Sequence, residues 1–450
     1  MPRHLAALSV CVVASAAFGQ SATTPTAANA PPDRYSVVRC GHLISDARRP
    51  ARGPSTIVVK NGRIEAVLDG ADAPLPANVE AARAAGAELA DINLREHWVL
   101  PGLIDCHVHL SMVIDESARL RRFTESDELT TLRAAANAKT TLLAGFTTVR
   151  DLGATPGVIF ALRDAISDGI ATGPRIVAAG KSVSITGGHG DPTTGARADL
   201  WADPARLDAV ADGPDACAKA VRQQVKLGAD VIKLTATGGV LSPVNTGTGQ
   251  HFTDAELKAI IDTAHSLNRK AAAHAHGTDG INAALRAGVD SIDHGTYLDD
   301  ESIRLFKQTG AYHVPTMMAG AFVAEKALIP GYYPRMVVPK ALAVGPKIKD
   351  AVRKSHAAGV KIAFGTDAGV FPHGENAKEF SLMVEAGMSP KDTLVAATVN
   401  AADLLGLSAD IGTLEAGKWA DLVAVAADPT SNVATLEQPR AVVRGGVRVR

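Results

Sequence analysis

The sequence predicts an α/β protein whose main part is a (β/α)₈ barrel, or TIM barrel. Two observations lead to this prediction. Stretches of helical pattern that end in glycine are repeatedly followed by short apolar strands, and eight such units fit within roughly 300 residues of the 450-residue chain. A doubly wound open sheet is the alternative for the same alternation. No glycine-rich dinucleotide fingerprint follows the first strand, which favours the barrel.

The repeating unit fixes where the strands are expected. Residues 128–143 form a predicted helix that is followed by Gly145 and by the strand that starts at Phe146. Glycine just past a helix end tolerates the left-handed conformation of a C-terminal cap. Thr253 and Glu256 have the spacing of a capping box at the start of another helix. Four further predicted helices with the same order are 215–227, 278–287, 301–309 and 348–358, before Gly228, Gly288, Gly310 and Gly359. The eight strands are predicted to start near Gly102, Phe146, Arg175, Asp230, Lys270, Asp290, Ala311 and Lys361.

Both flanks of the predicted barrel carry short strand-like stretches. Residues 56–59 and 63–67 flank a turn at Asn61-Gly62, and residues 422–425 are a similar stretch near the C-terminus. We therefore predict one small β domain assembled from both ends of the chain. The predicted boundaries are 1–19 for a signal peptide, 20–34 for a linker, 101–408 for the barrel, and 35–100 and 409–450 for the two parts of the β domain.

The first residues have the pattern of a targeting segment. Arg3 precedes an apolar stretch, 5–18, that is too short to cross a membrane comfortably, and small residues follow it. This order is typical of a secretory signal peptide, so we predict a secreted or periplasmic protein. An N-terminal membrane anchor is one alternative. A lipoprotein modified at Cys11 is a weaker one, because Val10 is a poor residue before a modified cysteine.

Composition excludes several classes of protein. There are 46 Lys and Arg residues against 47 Asp and Glu residues, so neither a basic stripe for nucleic acid nor an acidic tail is indicated. Cys40, Cys106 and Cys217 remain once a signal peptide is removed, and their wide spacing does not indicate a disulfide framework. We expect a small-molecule substrate, with neither nucleic acid nor, after signal cleavage, a membrane as partner.

Polar residues interrupt the predicted strands at their carboxyl ends, where barrels of this kind carry their chemistry. Each residue alone has an ordinary structural explanation, such as a hydrogen-bonded core histidine or an aspartate that caps a helix. Interruptions of five different strands at the same end are hard to explain independently. His107 and His109 are two residues apart, so they share one face of a strand, and paired imidazoles favour a metal site. The residues concerned are His107, His109, Lys233, His274, His276, His294 and Asp367.

This ordered set resembles the ligand set of the amidohydrolase superfamily with a two-metal centre. The leader at 99–105, VLPGLID, and the closing stretch at 411–423, IGTLEAGKWADLV, also resemble that family. The resemblance spans nearly all of the mature chain. Three further segments narrow the resemblance to one branch of the superfamily. They are FTTVRD at 146–151, SITGGHG at 184–190 and GGVLSP at 238–243. They are similar to the branch of Xaa-Pro and Xaa-Lys/Arg dipeptidases, close to imidazolonepropionase-like proteins and ochratoxin-degrading amidohydrolases.

The resemblance implies a (β/α)₈ barrel with a β-sandwich, two zinc ions per subunit and a homo-oligomer, which in that branch is often an octamer. It also implies the ligands. His107, His109 and Asp367 would hold one zinc ion, His274 and His294 the other, and Lys233 would bridge them as N6-carboxylysine. A bare ammonium between two dications is electrostatically unfavourable, whereas a carbamylated lysine carries negative charge and two oxygens. The amine must first be neutral, and burial beside cations lowers the pKa of lysine.

A mechanism follows from the same resemblance. A hydroxide bridging the two zinc ions would attack an amide carbonyl, and Asp367 would pass its proton to the leaving amine. His189 is a candidate hydrogen-bond donor to the carbonyl oxygen, and the alternative is a loop residue that orders Gly187-Gly188. His276 could also face inward, but the family pattern selects His274.

The substrate pocket is the least determined part. No tyrosine within 240–251 matches the one that orients the substrate in some dipeptidases of this branch. Residues 320–346, with Tyr332 and Tyr333, are predicted to be a long loop that acts as a lid, a binding loop or a subunit contact. The leading hypothesis is hydrolysis of dipeptides or N-acyl amino acids. The alternatives are a cyclic-amide hydrolase like imidazolonepropionase or hydantoinase, and a non-catalytic metal-binding protein.

Overall fold

The part of the chain that the structure describes comprises residues 33–195, 197, 207–242 and 247–450 of a computed structural model. The predicted signal peptide, 1–19, and the predicted linker as far as residue 32 lie outside it. None of the described helices has both the length and the apolar composition that crossing a bilayer requires.

Strands and helices alternate through most of the chain. The strands are β1 Tyr35–Leu43, β2 Ser55–Lys60, β3 Arg63–Asp69, β4 Leu89–Pro101, β5 Leu103–Val108, β6 Phe146–Asp151, β7 Arg175–Ala178, β8 Val231–Thr235, β9 Lys270–Ala275, β10 Ser291–His294, β11 Tyr312–Val314, β12 Leu422–Val425, β13 Ala441–Arg444 and β14 Val447–Arg448. The helices are α1 Ala77–Ala84, α2 Ala118–Thr124, α3 Asp127–Leu143, α4 Pro156–Ser167, α5 Pro214–Leu227, α6 Asp254–Ser266, α7 Thr278–Ala287, α8 Asp300–Thr309, α9 Met317–Lys326, α10 Val338–Ala357, α11 Lys378–Glu385, α12 Pro390–Val395 and α13 Ala401–Leu405.

Seven of the predicted barrel strands form two parallel sheets. One sheet has the order β5-β6-β7 and the other β11-β10-β9-β8. Single parallel bridges lie beyond the edges of these sheets, at Val183↔Leu234, His313↔Ile362 and Val108↔Ala368. Strands β5, β6 and β8 are buried along their whole length, as is usual for parallel strands.

The eighth predicted strand, from Lys361, is not a regular strand. Its backbone nevertheless hydrogen-bonds to both neighbours: His313 N–H donates to Lys361 O at 2.9 Å, and Cys106 N–H donates to Phe364 O at 2.8 Å. The segment leaves extended conformation at Asp367, whose φ is 62°.

The predicted helix ends are confirmed. Gly228, with φ 117°, and Gly288, with φ 94°, cap α5 and α7 in the left-handed conformation. The capping box at the start of α6 is also present. The Thr253 side chain accepts from Glu256 N–H, and Thr253 N–H donates to Glu256 Oε2 at 2.7 Å. These local signals set where the βα units begin and end.

Strands from both chain ends form one seven-stranded sheet, in the order β14-β13-β12-β4-β1-β2-β3. The long strand β4 pairs in parallel with β1 and antiparallel with β12, where Leu422 lies opposite Pro101. The predicted turn at Asn61-Gly62 joins β2 to β3, with φ values of 50° and 83°. The domain boundaries and the β-sandwich implied by the resemblance stay predictions.

The prediction of a long loop at 320–346 is wrong. Residues 320–326 belong to α9 and residues 338–346 belong to α10, so only 327–337 connect the two helices. Two prolines of this stretch lie within α10. Pro339 lies in the first turn of α10, where the N–H that proline lacks has no intrahelical partner to lose, and Pro346 lies inside the helix.

Candidate metal centre

The structure brings the predicted ligands together at the carboxyl ends of the parallel strands. His107 lies at the end of β5, Lys233 lies within β8, His274 lies near the end of β9 and His294 ends β10. Asp367 lies on the irregular segment between β11 and β5. All five side chains are buried. Side chains from distant parts of the sequence therefore meet at one end of the parallel strands, where their positions in the sequence predicted them.

The first group consists of His107, His109 and Asp367. Oδ1 of Asp367 lies 3.4 Å from Nε2 of His107 and 3.2 Å from Nε2 of His109. The two Nε2 atoms are 3.4 Å apart. Oδ1 of Asp367 is buried and accepts no hydrogen bond from the residues that the structure describes. The three atoms thus face one another around a point that a metal ion could occupy.

The second group contains one histidine more than predicted. His274, His276 and His294 have ligand nitrogens within 4.8 Å of one another. The His276 ring stacks on His294, with centroids 4.7 Å apart, and its Nδ1 is 2.7 Å from Thr296 Oγ1. The signal for His276 was its two-residue spacing from His274, which puts both side chains on one strand face. The His107 and His294 rings, 5.2 Å apart, connect the two groups.

A buried charge network surrounds Lys233. Its Nζ forms an ion pair with Asp293 Oδ2, and the same oxygen lies 3.5 Å from Nδ1 of His107. Asp293 Oδ1 accepts from Nη2 of Arg150 at 3.2 Å, and Arg150 Nε donates to Cys106 O at 2.6 Å. Sequence reasoning missed the roles of Arg150 and Asp293, although an arginine inside an apolar strand was a signal for a buried ion pair. The network holds Lys233 beside the first group.

Hydrogen bonds from neighbouring groups orient two of the imidazoles. Nδ1 of His109 is 3.1 Å from Gly153 O, and a carbonyl only accepts, so His109 carries its proton on Nδ1. Nδ1 of His294 is 2.7 Å from Thr316 Oγ1, whose own hydrogen goes to Pro315 O. Nδ1 of His294 must therefore donate as well. In both rings the Nε2 lone pair is left free for a ligand bond.

Burial keeps most of the imidazoles neutral. It lowers the pKa of His107, His274 and His294 well below the usual histidine value, and it lowers the pKa of His276 to about 3. His109 differs, because burial opposes its charge but contact with Asp367 outweighs burial and raises its pKa. Burial is also the main cause that lowers the pKa of Lys233. Neutral imidazole is the form that binds metals.

His189 lies against the second group. Its ring centroid is 4.2 Å from that of His274, and its buried Nδ1 has no hydrogen-bond partner in the described part of the chain. Burial lowers the pKa of His189 to about 3, so the ring is a neutral imidazole. The side chain occupies a position from which it could reach a molecule bound at the strand ends. Its predicted role as a hydrogen-bond donor stays a prediction.

The donor set fits metal ions. Nε2 of His274 and Oδ1 of Asp367 are buried, and neither has a hydrogen-bond partner among the described residues. A buried polar atom left unpaired costs about 1–3 kcal/mol, and a coordinate bond would remove that cost. Imidazole and carboxylate ligands suit several divalent transition ions, zinc among them.

Buried histidine and aspartate ligands at the ends of parallel strands in an α/β fold are typical of metal-dependent hydrolases. The chain belongs to the amidohydrolase family, whose model matches residues 98–449. The family predicted from the ordered residues is therefore confirmed.

Similar proteins point to the same branch that the sequence predicted. The structure of an Xaa-Pro dipeptidase with methionine bound in its active site is 41% identical, with a TM-score of 0.85, and the match covers 92% of this chain and 100% of the dipeptidase. Ochratoxinase of Aspergillus niger is 33% identical over 366 residues, 76% of this chain and 73% of the ochratoxinase. Imidazolonepropionase of Rhizorhabdus wittichii is 28% identical over 419 residues, 86% of this chain and 93% of the relative. The chain is accordingly a hydrolase of carbon–nitrogen bonds in small molecules.

Proposed function

We propose that the protein is a two-zinc amidohydrolase that cleaves dipeptides or N-acyl amino acids. The observation that carries the proposal is the pair of ligand groups, joined through the contact between His107 and His294. His107, His109 and Asp367 would hold one ion, and His274 and His294 the other. His276 lies close enough to assist the second group. Lys233, as N6-carboxylysine, would lie between the ions.

The chain's own residues then have defined tasks. Two bound ions would supply polarisation of the amide carbonyl and activation of water. Asp367 takes the proton released when water attacks and delivers it to the leaving amine, because an amide anion is a very poor leaving group. His189 donates a hydrogen bond to the carbonyl oxygen as negative charge develops there. The lowered pKa of Lys233 favours the neutral amine, which reacts with carbon dioxide to give the carbamate and one proton.

The proposal includes the closed (β/α)₈ barrel and the β-sandwich. The single bridges beyond the edges of the two parallel sheets, at Val183, Ile362 and Ala368, support closure into one barrel. It also includes a secreted or periplasmic, homo-oligomeric protein, as the N-terminal pattern and the family resemblance favour. Cell fractionation and light scattering would test these two points.

The experiment is a substrate screen with metal content measured on the same sample. Dipeptides Xaa-Pro, Xaa-Arg and Xaa-Lys and aromatic N-acyl amino acids are compared with cyclic amides. We expect turnover of the linear amides by protein that holds two metal ions per chain. Turnover of cyclic amides alone would favour the second candidate, which the imidazolonepropionase relative supports. A protein with both ions bound and no hydrolysis of either class would contradict the proposal.

A further inference from the structure

Lys340, on α10, carries a positive charge beside the segment that follows β8. Its Nζ donates to Gly239 O at 3.0 Å and to Ser242 O at 2.8 Å, both in the segment after β8. Within the part of the chain that the structure describes, no carboxylate lies within ion-pair distance of this ammonium. Two of its three N–H donors go to neutral carbonyls, and the third has no acceptor among the described residues.

Lys340 lies close to the candidate metal centre. Gly239, whose carbonyl it binds, packs so tightly on His189 that a Cβ there would lie 2.2 Å from Cε1 of that ring. The His189 ring in turn contacts His274. One glycine and one imidazole thus separate the ammonium from a predicted metal ligand.

We infer that Lys340 binds the free carboxylate of the substrate, so that the protein selects linear amides ending in a carboxylate. The inference rests on the proposed function and names its substrate class. An ammonium is a compact charge with three donors, and the two carbonyls fix it in place before the substrate arrives. Partial burial strengthens its attraction for an anion, because less water screens the pair. Neutral cyclic amides would gain nothing from this contact.

The test compares Lys340→Met with Lys347→Met, a control that removes an exposed lysine from the same helix. Each variant is assayed on the best dipeptide from the screen and on the same dipeptide with a C-terminal carboxamide. We expect Lys340→Met to lose about 10- to 100-fold in kcat/KM on the acid, while kcat/KM on the carboxamide stays within about twofold of the parent value. Lys340→Arg, which keeps the charge, should retain part of the preference for the acid.

Two results would overturn the inference. Equal losses on the acid and the carboxamide would mean that Lys340 only holds the segment after β8. Unchanged kinetics on both would mean that it does not reach the substrate.

A binding experiment separates this inference from the proposed function. Zinc-loaded parent protein, Lys340→Met and Lys347→Met are titrated with L-methionine and L-methioninamide by calorimetry. If no amide is hydrolysed, the proposed function fails. Lys340 would still be supported as the carboxylate site if the parent and Lys347→Met bind the acid more tightly than the carboxamide and Lys340→Met does not. Equal affinity of the parent for both compounds would overturn it, whatever the outcome of the screen.

Discussion

Asp367 shows how the fold fixes a single side chain at the candidate centre. Its φ of 62° is in the left-handed region, which costs a non-glycine residue about 1–3 kcal/mol unless the surroundings hold it there. Its backbone N–H donates to His107 O at 2.7 Å, which ties the residue to β5. Oδ1 is thereby directed at both imidazoles of the first group. His294 and Thr316 also have positive φ, so backbone strain concentrates around this site.

Asp367→Asn should abolish turnover while the fold persists. The amide cannot accept and return a proton, and loss of a general acid–base typically lowers the rate by about 10²–10⁴-fold. Steady-state kinetics test the rate, and thermal unfolding with metal analysis tests the fold and the ligand set. Near-normal activity would refute the role of Asp367 as proton carrier.

Lys233→Ala should also be inactive, and short carboxylates such as acetate or propionate should restore part of the activity. The truncated side chain leaves space beside Asp293 in which an added carboxylate could replace the carbamate. Lys258→Ala, which removes an exposed lysine from α6, is the control. Full activity of Lys233→Ala without additives would rule out the carbamate bridge.

Individual ligands were predictable because their spacing and strand position are local properties. The pairing of Arg150 with Asp293 was not, because the sequence does not say which side chains from different strands meet inside the fold. His276 was left undecided for a related reason. A two-residue spacing puts it on the correct face, but only the distance to His294 brings it into the second group.

Among the elements, the N-terminus of α9 contacts α11 on one side and the candidate metal centre on the other. Glu379, a buried residue of α11, accepts from Met317 N–H at 2.8 Å and from Met318 N–H at 2.6 Å. These N–H groups begin α9, directly after Thr316, whose hydroxyl accepts from His294. The Glu379 carboxylate therefore accepts hydrogen bonds from the first N–H groups of α9. It also helps to position Thr316, which orients the predicted ligand His294.

Glu379→Ala should destabilise the protein by roughly 2–4 kcal/mol, because it leaves buried N–H groups without an acceptor. It should also reduce affinity for metal. The matched control is Glu385→Ala, which removes an exposed carboxylate from the same helix and should change stability by no more than about 0.5 kcal/mol. Chemical denaturation and zinc titration are the measurements. Equal effects of the two variants would contradict this account of the start of α9.

His313 joins three elements and should make the protein sensitive to acid. Nδ1 is 2.9 Å from Ser355 Oγ of α10, Nε2 is 3.1 Å from His294 O, and burial lowers the pKa of His313 from 6.5 to about 4. The unfolded chain therefore binds a proton that the folded protein does not. Stability should fall as pH falls from 6.5 to about 4, by an amount on the order of 3 kcal/mol.

Thermal midpoints of chelator-treated parent and His313→Gln, measured between pH 7 and pH 4, would test this. The midpoint of the parent should fall more steeply than that of the variant. Parallel curves would show that His313 does not carry the dependence.

Elements differ in how well the sequence predicted them. Helices α5, α7 and α8 have sharp signals, since each ends at a glycine with positive φ. Residues 320–346 were predicted to be a loop, but most of them belong to α9 and α10, which contain glycine and proline. The balance of packing and backbone hydrogen bonds overrode those local signals. The position of Lys340 beside the site followed from that helix and could not be foreseen while the stretch was taken for a loop.

For the whole molecule, metal ions should matter for stability as well as for activity. The atoms of the two ligand groups come together only in the folded chain, so ions that bind there would favour the native state and raise its stability. Treatment with a chelator should stop turnover and lower the thermal midpoint, and added zinc should restore both. Calorimetry and activity assays on metal-analysed samples are the measurements. Indifference to a treatment shown to strip the metal would end the two-metal proposal.

The order of helices and parallel strands was predictable because their alternation is a local pattern in the sequence. The seven-stranded sheet was foreseen only as a domain built from two flanks. Its strand order was not, because pairing between distant strands depends on three-dimensional packing that the flanking sequences do not encode locally.

The pairing of β4 with β12 bears on how the polypeptide is made. Pro101 and Leu422 meet although almost the whole barrel lies between them in the sequence. During synthesis one edge of β4 therefore lacks its neighbour until β12 has left the ribosome. An unfinished chain would expose that edge to other nascent chains, so premature termination close to the C-terminus should yield aggregated rather than merely shortened product.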